Sequence, residues 1–259
     1  MTEAKLSISQ LQIAFGRRTV VDLELLELGS GEILGLAGES GSGKSITALA
    51  VLGLASTLDA RVMGSVYLDD EELIGAPEGR LREIRGSRIA MIFQSPVSSL
   101  DPLLQVGELF DRTLRLHGIG KREASERAAS AFHEVLLSPD LLERYPHELS
   151  GGQAQRIAIA MALALRSEVL LADEPTSALD VTVQAEILDL LRRVREERGM
   201  SVVFISHDLA VIAELCDRVA VMQLGRIVED GPTARVLGEP EDDYTKRLVA
   251  AVPKIGAQA

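Results

Sequence analysis

Residues 38–45 read Gly38-Glu39-Ser40-Gly41-Ser42-Gly43-Lys44-Ser45, and no other run restricts the fold as tightly. The run matches G-x-x-x-x-G-K-[ST]. The apolar stretch Ile33-Leu34-Gly35-Leu36-Ala37 leads into it, and a helical pattern from Lys44 to about Leu54 leads out. A strand that turns through glycines into a helix is a βα step of a parallel sheet. The glycines let successive backbone N–H groups turn inward around phosphate oxygens. The helix points its positive end at the same place. Lys44 adds a point charge between β- and γ-phosphates, and Ser45 offers a hydroxyl to Mg²⁺.

The rest of the chain fits an α/β domain. Residues 5–13 and 19–28 are β-prone on either side of Phe15-Gly16-Arg17-Arg18 and predict an antiparallel hairpin. Strands are expected at 64–69, 88–93, Val169-Leu170-Leu171-Ala172 and Val202-Val203-Phe204-Ile205, with helices at about 181–198 and 208–215. Between roughly 95 and 166 the apolar spacing becomes helical, broken at Pro139, Pro146, Gly151 and Gly152. Buried strands alternating with helices predict a mostly parallel sheet, and the helical run predicts an inserted helical subdomain. The final residues, Ile255 to Ala259, are expected to fray.

Composition narrows the function. Apolar residues make up 46% and charged residues 25%, as in globular proteins. The longest apolar runs, such as Ile157 to Leu165, fall well short of the roughly 20 residues of a bilayer span. No basic start followed by an apolar core suggests a secretory signal. Cys216 is the one cysteine, so an intramolecular disulfide or a multi-thiolate metal site is excluded. A net charge of −12 argues against broad nucleic-acid binding and against docking on anionic lipid.

Asp173 and Glu174 end an apolar strand, on the edge where α/β sheets bind ligands. There Asp173 would hold Mg²⁺ directly or through water, and Glu174 would polarise the attacking water as general base. Leu149-Ser150-Gly151-Gly152-Gln153 opens a helix whose free N–H groups, with Ser150, can receive an anion. This LSGGQ run, with the two earlier motifs, resembles the ATP-binding cassette family, the nucleotide-binding subunits of ABC transporters.

The resemblance spans about residues 5–253. It implies a P-loop NTPase cassette: a mostly parallel core sheet with an antiparallel β-subdomain (about 1–94 and 167–240), the inserted helical subdomain (about 95–166) and a C-terminal tail (about 241–259). It implies ATP and Mg²⁺ as ligands. Phe15 would stack on adenine, the bland alternative being a hairpin core residue. Residues Gly38 to Ser45 with Ile46 would form the nucleotide loop. Gln94 would be the Q-loop glutamine reaching Mg²⁺ and water. Ser177-Ala178-Leu179-Asp180 would be the D-loop, with Asp180 at the nucleotide interface. His207 would be the switch histidine on the γ-phosphate. Ser150, Gly151, Gly152 and Gln153 would cap ATP held by a second chain, so two cassettes would pair head to tail. A side chain at Gly152 would then keep the pair apart.

Phe93-Gln94-Ser95-Pro96-Val97-Ser98-Ser99-Leu100-Asp101-Pro102-Leu103, the run Pro175 to Gln184 and the tail Tyr244 to Pro253 resemble the peptide/nickel importer branch. Asp242-Asp243 stand where that branch has His-Pro, Met161 where an Arg is usual, and Ala154 follows Gln153. Shorter nickel-, opine- and phosphonate-type relatives stay open. The resemblance implies an ATPase at the cytoplasmic face of a bacterial inner membrane. It would be peripheral to two transmembrane permease subunits and act indirectly with an extracytoplasmic solute-binding protein. The rival is a cassette ATPase of a non-transport complex. Val97, Leu100, Leu103 and Leu104 would line a groove for a permease helix; the alternative for Leu103 and Leu104 is the core of the helical subdomain.

Overall fold

The computed structural model describes residues 4–177 and 179–251. Ile255 to Ala259, Ala178 of the D-loop run, and the Val252-Pro253 end of the tail run lie outside them. The chain divides into two compact units, Met1–Pro77 with Ser201–Ala259, and Glu78–Met200.

The first unit opens with the expected hairpin. Strands β1 (Ala4–Phe15) and β2 (Arg18–Gly29) pair antiparallel around Gly16 and Arg17, with Phe15 opposite Arg18. Leu6, Ile8, Leu11 and Ile13 are buried at mostly alternate positions, as a one-sided sheet requires. After β3 (Ile33–Ala37), helix α1 (Lys44–Val51) ends three residues earlier than its pattern suggests. Gly53, at φ 65°, turns the chain out of the helix. β4 (Arg61–Leu68) pairs antiparallel with β1, and the short β5 (Glu71–Glu72) with β4.

The second unit begins with α2 (Glu78–Ile84) and β6 (Ile89–Ile92). The helical run follows as α3 (Pro96–Ser99), α4 (Val106–Leu116), α5 (Lys121–Glu134), two 3-10 turns at Pro139–Glu143 and Pro146–Glu148, and α6 (Gly151–Leu165). Helices α4 and α5 meet edge-on through Phe110 and Phe132, 5.3 Å between centroids and both fully buried. Such pairs add about 0.5–1.5 kcal/mol beyond burial. β7 (Val169–Asp173) is buried throughout and runs parallel to β6. Then α7 (Val181–Arg198) runs from an Asp180 cap to Gly199, at φ 64°.

The first unit resumes with β8 (Ser201–Ser206), α8 (Leu209–Leu215), β9 (Arg218–Gln223), β10 (Arg226–Pro232), α9 (Thr233–Gly238) and α10 (Asp243–Ala251). β3 lies between β8 and β9, parallel to both, and β10 pairs antiparallel with β9. Every residue of β3 and β8 is buried, the mark of a strand covered on both faces. The ends of β3 and β8 therefore open on one edge, and Gly38 and His207 follow there.

Candidate functional site

The glycine loop is built from its neighbours. Gly38 has φ 146°, and a Cβ on it would stand 2.2 Å from the Met222 carbonyl oxygen on β9. No side chain fits there without breaking the strand, so β9 dictates a glycine at the loop's start. Gly41 and Gly43 also have positive φ, 80° and 111°, and Gly43 is the N-cap of α1. Lys44 is only 5% exposed. Its ammonium donates to the carbonyls of Gly38 at 2.7 Å and Glu39 at 2.8 Å, and to the Ser42 hydroxyl at 3.3 Å. The lysine is thus folded along the loop's inner wall, with its cation held by loop oxygens.

Two loop N–H groups are spent inside the protein. That of Ser42 donates to the Glu39 carbonyl at 3.2 Å, and that of Glu39 to the Tyr244 hydroxyl at 3.0 Å. Ser40 is exposed, and Ser45 and Ile46 lie in the first turn of α1. Phe15 ends β1 with its ring 37% exposed, so it is not a core residue of the hairpin. His207 is exposed just beyond β8. Behind it Asp208 caps α8, accepting from the N–H groups of Ala210 and Val211.

The second unit carries the acids. Asp173 closes β7 and is buried, and Glu174 follows at φ 46°. Left-handed backbone is uncommon for a non-glycine residue and clusters at functional sites. The Gln94 side-chain amide donates to a Glu174 carboxylate oxygen at 3.1 Å.

The LSGGQ run is a capping box. The Ser150 hydroxyl accepts from the Gln153 N–H at 3.2 Å, and the Gln153 side-chain oxygen accepts from the Ser150 N–H at 2.9 Å. Gly151 has room, since a Cβ there would stand 3.4 Å from Leu179. Gly152 has none: its Cβ would meet Val183 Cγ1 at 2.5 Å. The need for glycine at 152 therefore already arises inside this chain, where α6 approaches α7, and not only from closure of a pair. Asp180 caps α7 by accepting from the Val183 N–H at 3.0 Å, a structural duty the sequence reading did not assign. Leu103 is 82% exposed, so it does not fill the helical core, whereas Leu104 and Leu100 are half-buried and Val97 is exposed.

The donor chemistry fits a nucleotide with Mg²⁺. Ser45 in the first unit, and Gln94 and Asp173 in the second, each carry side-chain oxygens of the hard kind that Mg²⁺ prefers. Among the described residues no group of three or more His, Cys, Asp or Glu side chains could hold a metal alone.

Fold and loop together define a nucleotide-binding α/β ATPase. The family model described as ABC transporter matches residues 24–177. A putative peptide import ATP-binding protein of Brucella abortus is 46% identical over 98% of this chain and 79% of its own length. The glutathione import ATP-binding protein GsiA of Salmonella paratyphi A is 45% identical over 97% of this chain, which spans 42% of that protein. A dimeric structure of the ATP-binding cassette MJ0796 bound to ADP and Pi superposes with TM-score 0.75 at 29% identity, covering 88% of this chain and 98% of that one. The chain belongs to the ABC transporter family. It is an ATPase cassette that takes ATP with Mg²⁺.

Proposed function

We propose that this chain powers a bacterial importer of peptides. The observation that carries its ATP-hydrolysing part is the Glu174 carboxylate, held in left-handed backbone and hydrogen-bonded by Gln94, in a chain that also folds Lys44 into a glycine loop. On this reading Lys44 would bind the β- and γ-phosphates, the oxygens of Ser45, Asp173 and Gln94 would serve Mg²⁺, and Glu174 would take a proton from the attacking water. His207 contacts the γ-phosphate and Phe15 stacks on adenine. Residues of about 95–166 serve as the helical subdomain.

The chain has one glycine loop and one LSGGQ run. Two cassettes then close head to tail, Ser150, Gly151, Gly152 and Gln153 of each capping the other's ATP, with Asp180 at the same interface. The dimeric MJ0796 structure supports this pairing. Among the described residues no helix is long and apolar enough to cross a membrane. On the importer reading, cargo passes through separate permease subunits. Exposed Val97 and Leu103 offer those subunits an apolar contact, and on this reading the cassette works at the inner face of the cell membrane. Likeness to peptide and glutathione import proteins supports a peptide cargo.

The test is a deletion strain assayed for uptake of labelled di- to pentapeptides. Uptake should be lost, restored by the wild-type gene and not restored by Glu174→Gln. Unchanged uptake, with only soluble proteins cross-linked to cysteines placed at Ser95 or Ser98 in a Cys216-free chain, would favour the non-transport rival.

A further inference from the structure

The C-terminal helix reaches the nucleotide loop through one hydroxyl. Tyr244, on α10, is buried, and its hydroxyl accepts the Glu39 N–H at 3.0 Å, across 205 residues of sequence. That N–H belongs to the Gly38–Glu39 peptide. The carbonyl of the same peptide, Gly38 O, accepts from the Lys44 ammonium at 2.7 Å. A peptide is planar, so the direction of its N–H fixes the direction of its carbonyl. Gly38, with no Cβ, gives this plane little restraint of its own. Tyr244 holds one end and Lys44 the other.

The tyrosine is itself anchored. Asp242 caps α10, its carboxylate accepting from the N–H groups of Tyr244 at 2.7 Å and Thr245 at 3.4 Å. Glu229, on β10, accepts from the N–H groups of Glu241 and Asp242, each at 3.1 Å. The Arg247 guanidinium lies over the ring, 5.9 Å from its centroid. Asp242 thus has a definite task where the importer branch has histidine.

We infer that Tyr244 is a positioning residue for ATP binding: it fixes the Gly38–Glu39 peptide and through it aims the Lys44 ammonium. This rests on the reading that the loop binds ATP. Rotation of the peptide would turn the Gly38 carbonyl from Lys44 and take from the buried ammonium the shortest of its three contacts with loop oxygens.

Tyr244→Phe keeps the ring and removes the hydroxyl. In the purified full-length chain, calorimetry with MgATP should show an affinity loss of about three- to tenfold, the size expected for one neutral hydrogen bond. The KM for ATP should rise by the same factor, and kcat should stay within about twofold because Glu174 is untouched. Hydrogen–deuterium exchange of the Glu39 amide, measured without nucleotide, should quicken. Lys246→Ala, on the same helix but paired with Asp243 at the surface and not with the tyrosine, should leave exchange and affinity near wild type. Wild-type affinity in Tyr244→Phe overturns the positioning role, whether or not the melting temperature falls. Faster exchange with unchanged affinity does so too, by making the contact merely structural. A wild-type chain that binds no MgATP would overturn the nucleotide reading and this role with it.

Discussion

The Gln94 side-chain amide donates to the Glu174 carboxylate at 3.1 Å, joining residues eighty positions apart. β6 and β7 make the meeting possible. They run parallel with Ile92 beside Ala172, so residues just beyond their ends leave the sheet on one edge. Glu174 sits at φ 46°, a conformation that costs a non-glycine residue about 1–3 kcal/mol. Its carboxylate is thus oriented before any substrate arrives.

Glu174→Gln should bind ATP within about threefold of wild type and lose at least about a hundredfold in hydrolysis, the typical size of a general-base contribution. The amide is nearly the same shape but cannot take a proton from water. The variant should elute as an ATP-retaining pair in size-exclusion chromatography. Near-normal steady-state turnover would remove Glu174 from this role.

Lys44→Ala should weaken MgATP by at least about tenfold, since hydrogen bonds to charged groups contribute about 1.5–3 kcal/mol. It also leaves the Gly38 and Glu39 carbonyls without the ammonium they accept from. A modest fall in melting temperature should therefore accompany the lost affinity. Unchanged affinity by calorimetry counts against the loop as the phosphate site.

Local signals made much of this legible. The Gly38–Ser45 loop, the hairpin at Gly16, the Ser150 cap and the helix from Val181 to Arg198 all carry turn or cap chemistry within a few residues. Helix α2 was missed because it buries only Leu81 and Ile84 along a charged stretch. β9 and β10 were not predicted either. β9 is placed by pairing with β3, far away in sequence, and β10 by pairing with β9. Long-range contacts explain the site's omissions as well. Nothing near Gly152 announces Val183, nothing near Glu39 announces Tyr244, and the left-handed backbone of Glu174 has no signature in its neighbours.

Gly152→Ala should destabilise the chain by about 1–3 kcal/mol, the usual range for overpacking. The added Cβ would stand 2.5 Å from Val183 Cγ1, and valine on a helix has one strongly preferred rotamer, so it cannot simply swing aside. Val183→Ala deletes that methyl. The double variant should regain most of the lost melting temperature, a non-additivity expected of residues in contact. Equal losses from Gly152→Ala with and without Val183→Ala would show that the clash is not the cause. The larger Gly152→Asp strikes the same wall, so a loss of ATP hydrolysis in that variant would reflect the clash with Val183 as well as any effect on pair closure.

The anchoring of α10 gives the last prediction. Burial alone would push the Glu229 carboxyl up, but the N–H groups of Glu241 and Asp242, with smaller help from the Thr245 side chain and the Arg235 guanidinium, together hold the group below the usual glutamate value of 4.5. A carboxyl depressed in the folded state stabilises the fold above its unfolded value, and that stability drains away as pH falls through the folded value. Glu229→Gln offers one acceptor oxygen where two are used. It should cost about 1–3 kcal/mol at pH 7 through an unpaired, partly buried N–H. As pH drops below about 4.5 the wild-type chain loses its advantage, so the melting-temperature gap between the two should narrow. Because Glu229 steadies the start of α10, the variant should also bind MgATP more weakly at pH 7, in the direction of Tyr244→Phe but less far. Melting curves from pH 7.5 to pH 3 and one calorimetric titration decide the matter. A gap that stays constant across that range would mean the carboxylate's charge contributes nothing to holding α10 against β10.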